Sequence, residues 1–282
     1  MANASRAYDS YRLGNSVDAW YFGALGSSAK QHQASRLSAM QPTSSTFAAF
    51  LGRLGPQGVT LTDLWRREAL VNASRPLPVA GATSARPQFV YPVYSYDTLK
   101  LALPEMGSDL RRALVRWAAE TRVPWPRYAS ATHAVVHFRV GDFIHLGQVI
   151  RPASVARACA SLSPTPTHVE VLDGGSAHEA TRADVHESSA MRGALMLALR
   201  QQLPQAIMWE SAKQPADLDF LRLAGAPQLV TAGGSFGVTA ALAASPTTSI
   251  RTPACSNLNF CQQSPVEAMQ VRPGWDTYAY EV

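Results

Sequence analysis

Apolar positions recur in two different rhythms along the chain, and the change between them divides it. In the first half Val17, Trp20, Tyr21, Ala24 and Leu25 return at three- and four-residue steps, which predicts a helix over 13–32 capped by Asn15 or Ser16. Two more helices are expected, around 60–70 and over 106–120. The second of these carries Leu110, Leu114, Trp117 and Ala118 on one face. Residues 33–56 and 71–88 are rich in Ser, Thr, Gln, Pro and Gly and read as partly or wholly loop.

From residue 132 onward strands and helices alternate. Strands are expected at 132–140, 168–173, 206–210 and 228–231. Helices are expected at 153–162, 189–203, 217–223 and 235–244, with Met191, Ala194, Leu195 and Ala198 turned inward from the second. Such alternation predicts a parallel sheet with helical cover, an α/β fold.

The strand at 132–140 carries the most chemistry. Its alternation puts Ala134, Val136, Phe138 and Val140 on an apolar face. His133, Val135, His137 and Arg139 share the other face, which is expected to meet something polar. Gly141 and Asp142 end the strand. Ligands of open α/β sheets sit at the carboxyl ends of strands. An arginine there can hold a phosphate through paired hydrogen bonds, or it can pair structurally with a carboxylate such as Asp142.

A second anion-binding pattern is Gly233-Gly234-Ser235, a turn between an expected strand and helix. Amides of such a turn and the helix amino terminus attract anions. Ser235 can cap the helix or donate to a phosphate. Asp217-Leu218-Asp219 spells D-x-D, but both carboxylates suit the first turn of a helix, and no acidic cluster completes a metal site.

Composition narrows the class without choosing within it. Apolar residues form 46% of the 282 positions, enough for a core. No run of about 18 apolar residues suggests a membrane span. The start, MANASRAYDSYR, has no apolar stretch of the signal-peptide kind. The sequons Asn3-Ala4-Ser5 and Asn72-Ala73-Ser74 would suit a secretory lumen, so cytoplasmic and lumenal locations both stay open. Net charge is +5, with arginine far outnumbering lysine, but no basic run points to nucleic acid. Cys159 reads as a buried thiol, and Cys255 and Cys261 as a candidate local disulfide.

His137-Phe138-Arg139-Val140-Gly141-Asp142 matches H-x-R-x-G-D. In this the chain resembles the superfamily of α1,2- and α1,6-fucosyltransferases and protein O-fucosyltransferases. Arg12-Leu13-Gly14-Asn15 is similar to that family's amino-terminal G-L-G-N-Q segment. Asp219-Phe220 with Leu223, then Gly234-Ser235-Phe236-Gly237 and Ala240-Ala241-Leu242, is similar to the D-F-x-x-L and S-S-F-S-W-W-A-A-L stretches of the α1,2 enzymes. The chain departs from these at Ser16, Val140 and Val238-Thr239.

The resemblance implies a GT-B-like architecture of two Rossmann-type domains with the donor cleft between them. These would be an acceptor-side domain at 1–145 and a nucleotide-sugar-binding domain at 146–282. It also implies transfer from GDP-fucose with inversion and without a metal or other cofactor. Arg139 would hold the β-phosphate and His137 would lie beside the nucleotide. Asp219 would meet the guanine or ribose, while Ser235 and Phe236 line the phosphate and base pocket with Gly234 in the turn. Gly14 and Asn15 would approach the pyrophosphate or sugar. Asp142 and His145 are the local candidates for the base. The acceptor, a glycan, a protein hydroxyl or a small sugar, stays open. So do a transferase for another nucleotide sugar and a non-catalytic binding module on the same fold.

Overall fold

The computed structural model of the protein describes residues 46–54, 96–145, 147, 149–173, 182–212, 214–233, 235–254 and 270–281. Seven strands form one sheet: β1 (His133–Phe138), β2 (His168–Asp173), β3 (Ile207–Glu210), β4 (Gln228–Thr231), β5 (Ser249–Pro253), β6 (Gln270–Arg272) and β7 (Trp275–Tyr278). Their order is β3-β2-β1-β4-β5-β7-β6. Every pairing is parallel except β6 with β7. Counted along the chain, the six parallel strands run 3-2-1-4-5-6, the doubly wound Rossmann order. The protein therefore has an α/β, Rossmann-like fold.

Seven helices accompany the sheet among the described residues: α1 (Phe47–Leu54), α2 (Tyr96–Thr121), α3 (Asp142–His145), α4 (Pro152–Ala160), α5 (Arg182–Gln202), α6 (Ala216–Gly225) and α7 (Ser235–Ala243). Val135, Leu172, Leu229 and Ile250 join α1, α2, α6 and α7 in one buried cluster. Val136, Phe138, Val171 and Val230 join α4 and α5 in another. Both faces of the sheet are thus covered, as parallel sheets require.

Local sequence explains the helix ends. Pro152 at the first position of α4 has the helical φ built in and lacks only an amide that would have had no partner there. Asp217 and Asp219 lie in the first turn of α6, where the helix dipole favours negative charge. α7, SFGVTAALA, is apolar around its circumference, and such a helix belongs in an interior. It lies between α2 and α6, and Gly107 lets α2 approach so closely that a Cβ there would come within 2.6 Å of the Leu242 carbonyl oxygen.

Several expectations change. All of β1 is buried: on the face holding His133, Val135 and His137, Val135 joins the helix-side cluster and His137 meets Phe236 of α7, while His133 lies beside the buried Glu170 carboxylate. β1 is central, and a central parallel strand is covered on both sides. It forms the middle of the sheet, between β2 and β4. α1 is a helical part of the stretch 33–56 read as partly loop, with Thr46 Oγ1 accepting the Ala49 amide at its start. α5 begins at Arg182, earlier than expected. Leu195, Met196 and Leu199 are buried and Met191 and Ala198 pack against the same cluster, so Met191, Leu195 and Ala198 face inward as expected, while Ala194 is exposed. Strands β5, β6 and β7 were not foreseen. The helices expected at 13–32 and 60–70, both sequons, Cys255 and Cys261 lie outside the described residues. Cys159 is buried on α4, and burial pushes its thiol up to about 12.

Candidate functional site

The sheet changes direction between β1 and β4. The chain leaves β1 toward α4 on one face and leaves β4 into α7 on the other. That divergence makes the carboxyl ends of the two strands the switch point of the sheet, where such sheets place a ligand crevice. His137 is the register partner of Thr231, and the Ala232 amide donates to the His137 carbonyl at 2.8 Å. The chain past β1 and the chain past β4 therefore leave the sheet side by side.

Past β1 come Arg139, Val140 and Gly141. Gly141 has φ of 69°, a conformation that glycine adopts without strain. Its amide donates to Ser188 Oγ on α5 at 3.3 Å, which fixes the turn. The Ile144 amide then donates to the Gly141 carbonyl and starts α3. The Arg139 guanidinium carbon stands 4.8 Å from the centre of the Phe143 ring, so the cation is held over an aromatic face.

Past β4 comes Gly233, with φ of 85°, then α7. Phe236 in the first turn of α7 packs its ring on His137 at 5.6 Å and edge-on to Phe220 of α6, also at 5.6 Å. Phe220 meets Phe47, which meets Trp117. An aromatic chain thus runs from the site into the α1–α2 layer.

His137 is buried, and burial followed by the positive charge of Arg139 pulls its pKa down to about 3. It is a neutral imidazole at physiological pH, suited to hydrogen bonding and not to taking a proton from a hydroxyl. Its Nδ1 and the Thr231 Oγ1 beside it are buried with no hydrogen-bond partner among the described residues. Orphaned buried polar atoms are rare, and two on adjacent strands at a sheet's switch point mark a strained or functional spot.

Of the residues expected at the site, His137, Arg139 and Phe236 come together. Asp219 lies in the first turn of α6 beside Phe220, with its Oδ1 buried. Asp142 and His145 are the first and last residues of α3, and Ser235 is the first of α7; the side chains of all three lie outside the described set. Gly14, Asn15 and Gly234 also lie outside it. The D-x-D acids lie in the first turn of α6, as expected. α6 has no side-chain cap, and Asp217 Oδ1 instead accepts the Phe47 amide of α1 at 3.3 Å. No group of three or more metal-ligating side chains exists among the described residues. No described helix is long and apolar enough to cross a membrane.

Sequence reading missed Thr231, Ser188 and Phe143 as parts of this region. Thr231 ends an expected strand just before a Gly-rich turn, which is a usable signal. Ser188 carries none, because only the fold brings α5 to Gly141.

A groove of about 590 Å³ lies elsewhere, between α4 and the β5–β7 side of the sheet. Its polar groups satisfy one another: Arg251 Nη1 lies 2.8 Å from Asp276 Oδ2, and Arg157 Nη2 donates to Ser154 Oγ at 3.1 Å. It shows no unmet demand for a ligand.

No family model, curated protein or solved structure matches the chain.

Proposed function

We propose that the protein is a glycosyltransferase that moves fucose from GDP-fucose to a hydroxyl acceptor with inversion, without a metal. In this reading the seven-stranded sheet is the nucleotide half of a two-domain GT-B arrangement. The observation that carries it is the position of Arg139. The residue follows the carboxyl end of central strand β1, in an H-x-R-x-G-D run, across the switch point from the Gly233 turn and α7. A pyrophosphate in that crevice would meet a guanidinium on one side and helix amides on the other.

The chemistry follows from this geometry. The bond between the sugar carbon and the β-phosphate oxygen breaks, and the acceptor oxygen bonds to the opposite face of that carbon. Negative charge grows on the departing GDP, and Arg139 is positioned to stabilise it, which is usually a large catalytic term. The acceptor proton passes to a base on α3, Asp142 or His145. His137, neutral and buried, hydrogen-bonds the donor and takes no proton. Asp219 recognises the guanine or ribose, and the acceptor is a sugar or protein hydroxyl.

The test is calorimetric titration of GDP and UDP into the full chain, with Arg139→Ala alongside, followed by measurement of GDP release from GDP-fucose. GDP binding in preference to UDP, lost in the variant, with slow donor hydrolysis, supports the assignment. GDP binding without hydrolysis or transfer indicates a binding module on the same fold. UDP preference indicates another nucleotide sugar. No binding by a folded protein refutes the nucleotide site.

A further inference from the structure

We propose that Arg111, on α2 and remote from the crevice, is a positioning residue that sets how α6 and α7 present their amino-terminal turns to the site. Its Nη1 donates to the carbonyl of Ala224, at 3.4 Å, and to the carbonyl of Ala243, at 3.3 Å. Ala224 lies in the last turn of α6, and Ala243 ends α7. One nitrogen with two hydrogens thus ties together the carboxyl ends of two helices. Its charge lies where both helix dipoles favour a cation.

The guanidinium is itself held. Its carbon lies 5.3 Å from the centre of the Trp125 ring, and Trp125 packs so tightly on Gly225 that a Cβ there would come within 3.2 Å of the indole nitrogen. Burial lowers the Arg111 pKa, yet a guanidinium keeps its proton through the physiological range.

The far ends of the same helices reach the site. Asp219 and Phe220 belong to the amino-terminal half of α6, and Phe236 to the first turn of α7. Phe220 and Phe236 touch each other, and Phe236 touches His137. The clamp is about 6 to 8 Å along α6 and about 10 Å along α7 from those residues, at 1.5 Å per residue. Short helices move as rods, so a change in spacing at the clamped ends is delivered to the site. Lysine offers a point charge where arginine offers a planar fork, so it cannot fully replace this function.

The consequence for ligand binding rests on the donor-site reading above, whereas the clamp itself does not. The experiment therefore compares four full-length proteins: wild type, Arg111→Met, Arg111→Lys and Leu199→Ala. Leu199 is a buried residue of α5 on the opposite face of the sheet, so its variant reports general destabilisation alone. Each is titrated with GDP well below its melting temperature, and amide hydrogen exchange is followed along α4, α5, α6 and α7.

The expected result is a loss of GDP affinity of about tenfold or more in Arg111→Met, a smaller loss in Arg111→Lys and none in Leu199→Ala. Exchange should quicken selectively over 219–221 and 238–240 in Arg111→Met. GDP affinity and exchange in Arg111→Met that match Leu199→Ala would overturn the proposal. Selective exchange in a set of proteins that never bind GDP would uphold the clamp and refute the donor reading instead.

Discussion

Gly237 and His137 stand so close that a Cβ on residue 237 would lie 2.8 Å from the imidazole Nδ1. The same Cβ would come within 3.2 Å of Thr231 Cβ and Cγ2. In an open helix, glycine to alanine is worth about 1 kcal/mol in favour of alanine. Here overpacking wins, because Thr231 Cβ is tied to the sheet backbone and His137 is wedged against Phe236. Gly237→Ala should destabilise the protein by about 1–3 kcal/mol, the usual range for an overpacked core. A denaturant melt checks this, and an unchanged midpoint would mean that α7 can lift from β1 freely.

The buried imidazole links stability to pH. Its pKa falls from 6.5 in the open chain to about 3 in the fold, so between those values the unfolded state binds more protons. Stability contributed by His137 is complete above about pH 6.5 and declines as the pH falls toward 3. His137→Gln, neutral throughout, should flatten the curve between pH 6.5 and 4.5. Thermal melts of both proteins across that window measure the difference, and parallel curves would show that His137 is not the group responsible.

Arg139→Ala should abolish transfer while leaving the melting transition near that of wild type. The side chain stands past the end of β1 and stacks on Phe143 instead of filling the core. Hydrogen bonds to charged groups contribute about 1.5–3 kcal/mol each, so GDP affinity should fall by at least about tenfold. Full turnover in this variant would remove the residue from the mechanism.

Glu170 is a buried carboxylate on β2. It accepts hydrogen bonds from Ser211 and Arg222, and His133 Nε2 lies 3.6 Å from its other oxygen. Burial alone would raise its pKa, but His133, Ser211 and Arg222 together more than offset this and hold it below the ordinary value. Arg222→Met would strand the charge, and breaking one half of a buried pair costs about 3–5 kcal/mol. Arg222 is a quarter exposed, so the lower end applies. Without Arg222 the Glu170 pKa should rise, so the penalty should ease as pH falls into the acid range. A deficit that stays constant from neutral pH down to the carboxylate range would argue against this.

Tyr278 on β7 reaches across β5, and its hydroxyl donates to the Thr231 carbonyl at 2.8 Å, two residues before Gly233. Tyr278→Phe removes that bond and little else. A loss of about 1 kcal/mol is expected in a denaturant melt. GDP titration of the same variant should show weaker binding through the loosened turn. Unaltered affinity would mean that the turn holds without it.

The alternation of apolar runs with helical patterns after residue 132 was enough to identify a parallel α/β sheet, and strands β2 and β4 were legible to the residue. Short runs rich in Val and Leu between turn signals, such as HVEVLD and QLVT, are of strand length and too brief for a helix. Strands β5 to β7 were not legible. SIRTP, QVR and WDTY are short and polar, and they become strands only because neighbouring strands supply their hydrogen bonds. The start of α5 was hidden for a related reason. Asp184 and Ser188 are buried there, and no apolar rhythm marks a turn whose interior is polar.

By itself the sequence placed Arg139 at the end of a strand, Gly141 and Gly233 at turns, and aromatic Phe236 in the opening turn of an apolar helix. These follow from local preferences that each residue carries anywhere. Only the tertiary structure decided that β1 is central and neighbours β4, since strand order depends on contacts between distant segments. That single adjacency buries His137, strips its proton, sets Thr231 beside it and demands glycine at 237. It also brings Arg111, from a helix some hundred residues before α6 and α7, to the ends of both.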